Sequence, residues 1–298
     1  MRLENASRKQ VKIKLSLSGP AGSGKTYSAI LLAFGITNDF TKICVIDSEN
    51  KSASLYSHLG PFKVINLSAP FNPENYVEAI KLCEHSGVEV IIIDSITHEW
   101  SGKGGCLDLH EKEVAKMKIP NSFTAWASVT IRHQQFIDAV LNSSCHILST
   151  IRSKTEYVIS ERNGKQVPQK VGMAPITREG YDFEQTIAFD IDQQHKVFCT
   201  KDRTTLFQDK DPFIIAPDTG RKILEWCNSG EYVDVNDVVQ RVNETKSIKE
   251  LLDLYQQFPQ FQNTLKPEFE TRKRQILMSN DAQTQLTHKP IATNGTSH

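Results

Sequence analysis

Gly19, Pro20, Ala21, Gly22, Ser23, Gly24, Lys25 and Thr26 follow one another in the pattern GxxxxGK[ST], the spacing with which a chain holds a polyphosphate. Glycines let successive backbone N–H groups curl around the β- and γ-phosphates, and a helix beginning where the loop ends aims its uncapped amides at the same charge. Lys25 would bridge the phosphates, and the Thr26 hydroxyl would ligate a Mg²⁺ ion accompanying the nucleotide. The flanks are those the pattern needs: the apolar run ending at Leu17 reads as a strand, and Tyr27 to Phe34 as a helix. The ligands expected here are ATP and Mg²⁺.

Carboxylates must complete such a cradle. The run Val88-Glu-Val-Ile-Ile-Ile-Asp94-Ser95 is a buried strand ending in Asp, the form of the strand whose carboxylate holds the metal. The next residue is Ser95 rather than a second acid, so a group that orients or deprotonates an attacking water must come from elsewhere. Glu49, in Ile43-Cys-Val-Ile-Asp47-Ser48-Glu49, closes the strand after the phosphate-loop helix, at the sheet edge where open α/β proteins gather their ligand groups. His98 and Glu99, just beyond Asp94, are the alternatives. The alternative is that Asp47 and Glu49 simply cap a turn.

These residues need parallel strands to position them. Apolar, β-rich runs at 11–17, 43–46, 64–67, 88–93 and 146–148 are separated by helix-length intervals, which predicts βαβ units and a mainly parallel sheet. Runs at 187–192 and 196–200 lie only a few residues apart and predict an antiparallel hairpin at the sheet's late edge. Segments 101–128 and 153–182 carry no strong pattern and read as long functional or mobile loops. The organisation expected is an α/β, P-loop NTPase domain over 1–230, a small helical appendage over 231–279, and a polar, disordered tail over 280–298.

Composition excludes several classes. The 298 residues carry 35 Lys+Arg against 35 Asp+Glu, so no global field draws the chain onto nucleic acid or an anionic membrane, and any DNA contact must come from a local patch. The apolar run Val90-Ile-Ile-Ile93 falls far short of the ~18 residues a bilayer needs, and the first ten residues lack the apolar core of a signal peptide, which predicts a cytoplasmic protein with no membrane partner. The six cysteines stand singly, with no CxxC pair or His at metal spacing, and read as reduced core residues. Trp126 also reads as a core residue.

The order of phosphate loop, Ile-Asp-Ser-Glu49, Ile-Ile-Ile-Asp94-Ser, Ser149-Thr150-Ile-Arg152 and Lys201-Asp-Arg203-Thr204 resembles the ATPase core of the RecA superfamily. Within it, Lys154-Thr-Glu-Tyr157-Val158, Lys170-Val-Gly172-Met-Ala-Pro175-Ile and Tyr181-Asp-Phe183-Glu184 are most similar to phage-encoded AAA-domain ATPases grouped with Sak-type single-strand annealing proteins. The resemblance covers about residues 10 to 230. It implies a RecA-like fold in which Lys25 and Thr26 bind phosphate and Mg²⁺, Asp94 completes the metal site, and Glu49 is the catalytic glutamate. Ser149 or Thr150 would sense the γ-phosphate, and Lys201 with Arg203 would form a finger inserted into a neighbouring subunit's site.

The resemblance further implies a homo-oligomer whose ATP hydrolysis is stimulated by single-stranded DNA, acting in recombination, annealing or replication, in the host cytoplasm if the chain is phage-encoded. Single-strand-binding or replication proteins would be its partners. DNA would meet the second long segment, through Arg152, Lys154, Arg162, Lys165 and Lys170, with Tyr157 as a stacking ring. Two other classes stay open: a P-loop kinase of a small metabolite, and a nucleotide-gated loader or switch with little hydrolysis.

Overall fold

Strands that are apolar at every position must be covered on both faces, and this chain's central strands are built that way. The computed structural model describes residues 11–162, 165–228, 234–258, 261–262 and 264–287, the side chains of 155–172 and 280–287 excepted. The chain divides into two compact units, residues 1–230 and 231–298.

The first unit runs β1 (Lys14–Gly19), α1 (Lys25–Thr37), β2 (Ile43–Asp47), β3 (Lys63–Asn66), α2 (Pro73–His85) and β4 (Val90–Asp94). It continues through α3 (Thr97–Ser101), α4 (Cys106–Lys116), α5 (Ser122–Asn142), β5 (His146–Arg162) and β6 (Lys165–Pro175). Then come α6 (Tyr181–Glu184), β7 (Ile187–Ile191), β8 (Val197–Asp202) and α7 (Pro217–Asn228). Sheet order is β3-β2-β4-β5-β1-β7-β8, with β6 paired to β5 off this path. Strands β3 through β7 on that path are parallel, and β8 returns antiparallel to β7, giving the α/β P-loop NTPase architecture and the late hairpin that the sequence predicts.

Alternation decides which residues face which helix layer. On one face Leu15, Leu17, Val45, Val90 and Ile92 pack with Ile30, Leu32 and Ala33 of α1 and Ile223 of α7. On the other, Ile46, Ile91, Ile93 and Ile147 pack with Tyr76 and Ile80 of α2 and Phe136 and Val140 of α5. Each such side chain contributes about 1.5–3 kcal/mol of burial, so the sheet is a stiff platform for its C-terminal edge. Helices α1 and α7 come close enough that a Cβ on Gly35 would lie 2.0 Å from the Pro217 carbonyl oxygen.

Three sequence expectations change. Segment 101–128 is mostly helical, because α4 and the first turns of α5 occupy it. Segment 153–182 is not a loop: β5 extends to Arg162 and pairs antiparallel with β6, from Ser153 opposite Pro175 to Arg162 opposite Lys165. Trp126 is half-buried rather than core, stacked between Trp100 and His110 at 5.6 and 4.2 Å.

The second unit packs α8 (Val235–Glu244), α9 (Ile248–Gln257) and α10 (Lys266–Thr287) around Val238, Val242, Leu251, Leu254, Phe258 and Phe269. Asp234 and Ser247 cap α8 and α9 by accepting the Asn236 and Glu250 amides. Helix α10 continues to Thr287, eight residues into the segment expected as a disordered tail, because no Gly or Pro interrupts it before Pro290. Residues 288–298 lie outside the described ones. No helix among the described residues is long and apolar enough to cross a membrane.

At the opposite edge of the sheet, the Ile13 amide donates to His146 Nδ1 at 3.1 Å, which fixes that nitrogen as unprotonated. Burial, reinforced by Lys12 and Lys14, lowers the His146 pKa from 6.5 to about 3. The stability this contributes is complete above the unfolded value near 6.5 and is lost as pH falls toward 3, because only the unfolded chain takes up the proton. From this group we expect about 2 kcal/mol of lost stability between pH 7 and pH 5. Urea unfolding at the two pH values measures it, and His146→Gln should show the flatter dependence.

Candidate functional site

Strand β1 ends at Gly19 because a side chain there has no room: a Cβ would lie 2.5 Å from the Ile191 carbonyl oxygen and 2.7 Å from Ser23 Oγ. Gly22 and Gly24 adopt φ of 81° and 86°, the left-handed conformation that bends the loop back over α1. Helix α1 then begins at Lys25 with no side-chain cap and no acidic residue in its first turn. Ser23 is fully buried, and its Oγ has no hydrogen-bond partner among the described residues. An uncapped helix start, a left-handed glycine loop and an orphaned buried hydroxyl together fit a polyphosphate ligand. Lys25 Nζ donates to the carbonyls of Gly19 and Pro20 at 2.9 and 2.8 Å. Burial lowers its pKa, against the pull of Asp94 and with the push of Arg152.

Parallel register brings the acidic strand ends beside this loop. Asp47 of β2 lies opposite Asp94 of β4, and Ile93 opposite Ser149 of β5. Thr26 Oγ1 donates to Asp94 Oδ2 at 2.7 Å, and Thr150 Oγ1 to Asp94 Oδ1 at 2.5 Å. Burial raises the Asp94 pKa, opposed by these two hydroxyls. A hydroxyl and a carboxylate converging on one point, beside a phosphate loop, are the hard oxygen donors Mg²⁺ takes.

Asp47 is a structural cap. Its Oδ1 accepts the Glu49 amide at 2.6 Å and its Oδ2 the Ala53 amide at 2.8 Å, fixing the turn that carries Glu49. Glu49 itself faces the site. Its Oε1 accepts from Ser95 Oγ at 3.0 Å and from Arg152 Nε at 2.8 Å, and its Oε2 accepts from Arg152 Nη2. Arg152 therefore clamps Glu49 through the Nε and Nη2 side of its guanidinium, a planar two-bond geometry in which such a pair is strongest. Ser95, the residue that replaces a second acid after Asp94, holds Glu49 instead.

Other sequence candidates are distributed differently. His98 Nδ1 lies 2.9 Å from Ser48 Oγ, and its ring stacks on Phe71 at 5.0 Å. Burial lowers its pKa, opposed by the charges of Asp94 and Asp47. Glu99 turns away, bonding His133 and Cys106. Cys106 is buried as expected of a core cysteine, but folding gives it the His neighbour that local spacing did not. Ser149 Oγ pairs with Tyr181 Oη at 2.7 Å, leaving Thr150 as the hydroxyl on Asp94.

Lys201 Nζ donates to the Asp182 carbonyl at 3.0 Å and to that of Phe183, and Arg203 Nη2 donates to the Phe183 carbonyl at 3.1 Å, so both are docked on α6. Arg152, assigned by sequence to DNA, is engaged with Glu49, whereas Lys154 is exposed on β5. Tyr157, Arg162, Lys165 and Lys170 lie on the β5–β6 ribbon, with side chains outside the described ones.

Sequence reasoning missed the wall beside the phosphate loop. A cavity of about 510 Å³ is lined by Lys25, Thr26, Tyr27, Tyr56, His195 and Ile214 among others. Tyr27 and Tyr56 rings are 5.9 Å apart, and His195 Nδ1 lies 2.9 Å from the Ser23 carbonyl oxygen. Aromatic and aliphatic surface here suits a nucleobase. Only Tyr27, next to Thr26, had a local signal; Tyr56, His195 and Ile214 arrive from distant parts of the chain. A larger hollow of about 710 Å³ lies between α2 and α5, lined by Glu74, Glu78, Lys81 and Asp138, and shares no residue with the phosphate site.

A family model described as "AAA domain" matches residues 11–247. No curated protein matches the chain. Among solved structures, the KaiC-like protein PH0186 from the hyperthermophilic archaeon Pyrococcus horikoshii OT3 is similar at 16% identity and a TM-score of 0.40, over 69% of this chain and 87% of that one. The family match takes in the phosphate loop, Glu49, Asp94, Thr150 and most of the chain's length, and the chain belongs to the AAA-domain family of P-loop ATPases.

Proposed function

We propose that the chain hydrolyses ATP with Glu49 as the water-orienting base, works as a homo-oligomer, and couples turnover to single-stranded DNA in a phage-type recombination, annealing or replication process. The observation that carries this reading is the Glu49–Arg152 clamp. Arg152 sits on β5, the strand that continues into the β5–β6 ribbon where the RecA-type resemblance puts DNA contact.

In this reading Lys25 and the loop amides hold the phosphates, and Thr26 with Asp94 holds the metal. Mg²⁺, when bound, neutralises charge on the transferred phosphoryl group. Thr150 fixes the Asp94 carboxylate, and Glu49 orients the attacking water and accepts its proton. Arg152 sets the direction of Glu49. Lys154, Tyr157, Arg162, Lys165 and Lys170 meet the DNA backbone and bases. Lys201 and Arg203 leave α6 to reach a neighbouring subunit's γ-phosphate; single-strand-binding or replication proteins are the expected partners.

The test is steady-state ATP hydrolysis with and without single-stranded DNA at stated salt, in wild type and Arg203→Ala. We expect DNA to raise the wild-type rate, and Arg203→Ala to lose roughly 10³-fold in turnover while still binding ATP. A DNA-insensitive rate, with Arg203→Ala equal to wild type, rejects the coupled motor and favours a small-metabolite kinase or a nucleotide-gated switch.

A further inference from the structure

Glu99, Cys106 and His133 come from three different helices, α3, α4 and α5, yet their side chains meet at one buried point. Their exposures are 1%, 0% and 5%. Cys106 Sγ is 3.1 Å from Glu99 Oε1, His133 Nδ1 is 3.0 and 3.2 Å from the two carboxylate oxygens, and Sγ lies 3.8 Å from Nδ1. A tetrahedral site with metal–oxygen and metal–nitrogen bonds of about 2.0–2.1 Å and a metal–sulfur bond of about 2.3 Å has ligand atoms about 3.3–3.6 Å apart. The three groups already stand close to those edges.

A plainer chemistry is a nucleophile–base–orienter relay. That relay needs the imidazole to face the thiol with one nitrogen and the carboxylate with the other. Here Nδ1 faces both, so the lone pairs converge on a point instead of forming a line. Charge also favours a metal, since a divalent cation with one thiolate and one carboxylate is neutral overall, as a site closed to water requires.

The three helices are otherwise joined by surface contacts, His110 of α4 stacking on Trp126 of α5 at 4.2 Å and lying 2.9 Å from the Ser122 carbonyl oxygen. Cys106 alone of the eleven residues of α4 is buried, α3 is only five residues long, and glycines 102, 104 and 105 join them. Trp100 meets the His133 ring edge-on at 5.8 Å and stacks on Trp126, walling the cluster with aromatic surface.

We propose that Glu99, Cys106 and His133 form a structural zinc site that pins α3, α4 and α5 together behind the strand end bearing Asp94. The metal binds Sγ, Nδ1 and the Glu99 carboxylate; where both carboxylate oxygens ligate, the four-coordinate site is a distorted tetrahedron, because the two oxygens of one carboxylate stand closer than a tetrahedral edge. Binding releases the Cys106 thiol proton to solvent, and the His133 proton resides on Nε2. A thiolate and an imidazole select a borderline-soft ion, so this site does not compete for the Mg²⁺ of Thr26 and Asp94.

The test uses the full-length, tag-free chain purified without chelator. Elemental analysis should find about one zinc per chain, and the zinc-stripped protein titrated with Co²⁺ should develop the near-ultraviolet sulfur-to-cobalt band and the strong visible bands of a four-coordinate site. Cys106→Ser should lose the sulfur band with circular dichroism unchanged, and Cys83→Ser, altering another buried thiol, should keep it. The wild-type cobalt spectrum stands without any variant, so poor folding of Cys106→Ser does not blunt the test. A folded wild type that takes up no zinc and gives no cobalt–sulfur band, or a band that survives Cys106→Ser, overturns the proposal and leaves a hydrogen-bonded trio.

Discussion

Glu49→Gln is expected to bind ATP as tightly as wild type and to turn it over about 10²–10⁴-fold more slowly, the range a positioned general base supplies. The substitution keeps the side chain's length, and its amide oxygen still accepts from Ser95 Oγ. What it removes is the basic oxygen and the charge that Arg152 grips with two N–H groups. The Asp47 cap on the Glu49 amide is a backbone contact and survives, so the turn should not move. Nucleotide binding by calorimetry and turnover by phosphate release separate the two effects. Wild-type turnover in this variant would make Glu49 a turn residue and place the water-orienting group elsewhere.

Lys25→Ala should remove both binding and turnover. Lys25 is the cation beside the phosphate loop, bonded to the Gly19 and Pro20 carbonyls and close enough to Asp94 to feel its charge. Losing a preorganised donor to developing charge costs about 10²–10³-fold in rate, and loss of ground-state phosphate binding adds to that. Fold stability should hold, because burial already disfavours the charged amine and alanine relieves that cost. Thermal unfolding gives a clean reading: Mg²⁺–ATP at a hundredfold excess over its Kd stabilises a binding-competent chain by about 2.7 kcal/mol. Wild type should show that shift and Lys25→Ala should not.

The two residues behind these predictions were legible in the sequence for a local reason. A phosphate loop announces itself through eight consecutive residues, and Glu49 and Asp94 each end an apolar run whose C-terminus a parallel sheet must bring to the same edge. Helix α4 was not legible, because a helix with one buried residue has no apolar period to read. The β5–β6 ribbon hid behind Gly164, Pro168, Gly172 and Pro175, residue types that strands usually exclude. Arg152 looked like a surface cation; its partner lies 103 residues earlier, and only the β2-β4-β5 order makes them neighbours. The Glu99–Cys106–His133 meeting depends in the same way on how α3, α4 and α5 pack, at separations of 7 and 27 residues from Cys106.

Strand β5 runs from His146 to Arg162, with a shift in its pairing to β6 between Glu156 and Tyr157. At ~3.3 Å per residue, the ten residues beyond Arg152 reach roughly 30 Å from the nucleotide edge. Mechanically this is a tie rod. Thr150 and Arg152 are two residues apart on it and project to the same face, one bonded to Asp94 and the other to Glu49. An axial pull that slipped the strand by a single residue would turn both side chains to the opposite face at once. The metal carboxylate would then keep only Thr26 and the water-orienting carboxylate only Ser95, so any displacement of this one strand would loosen both at once.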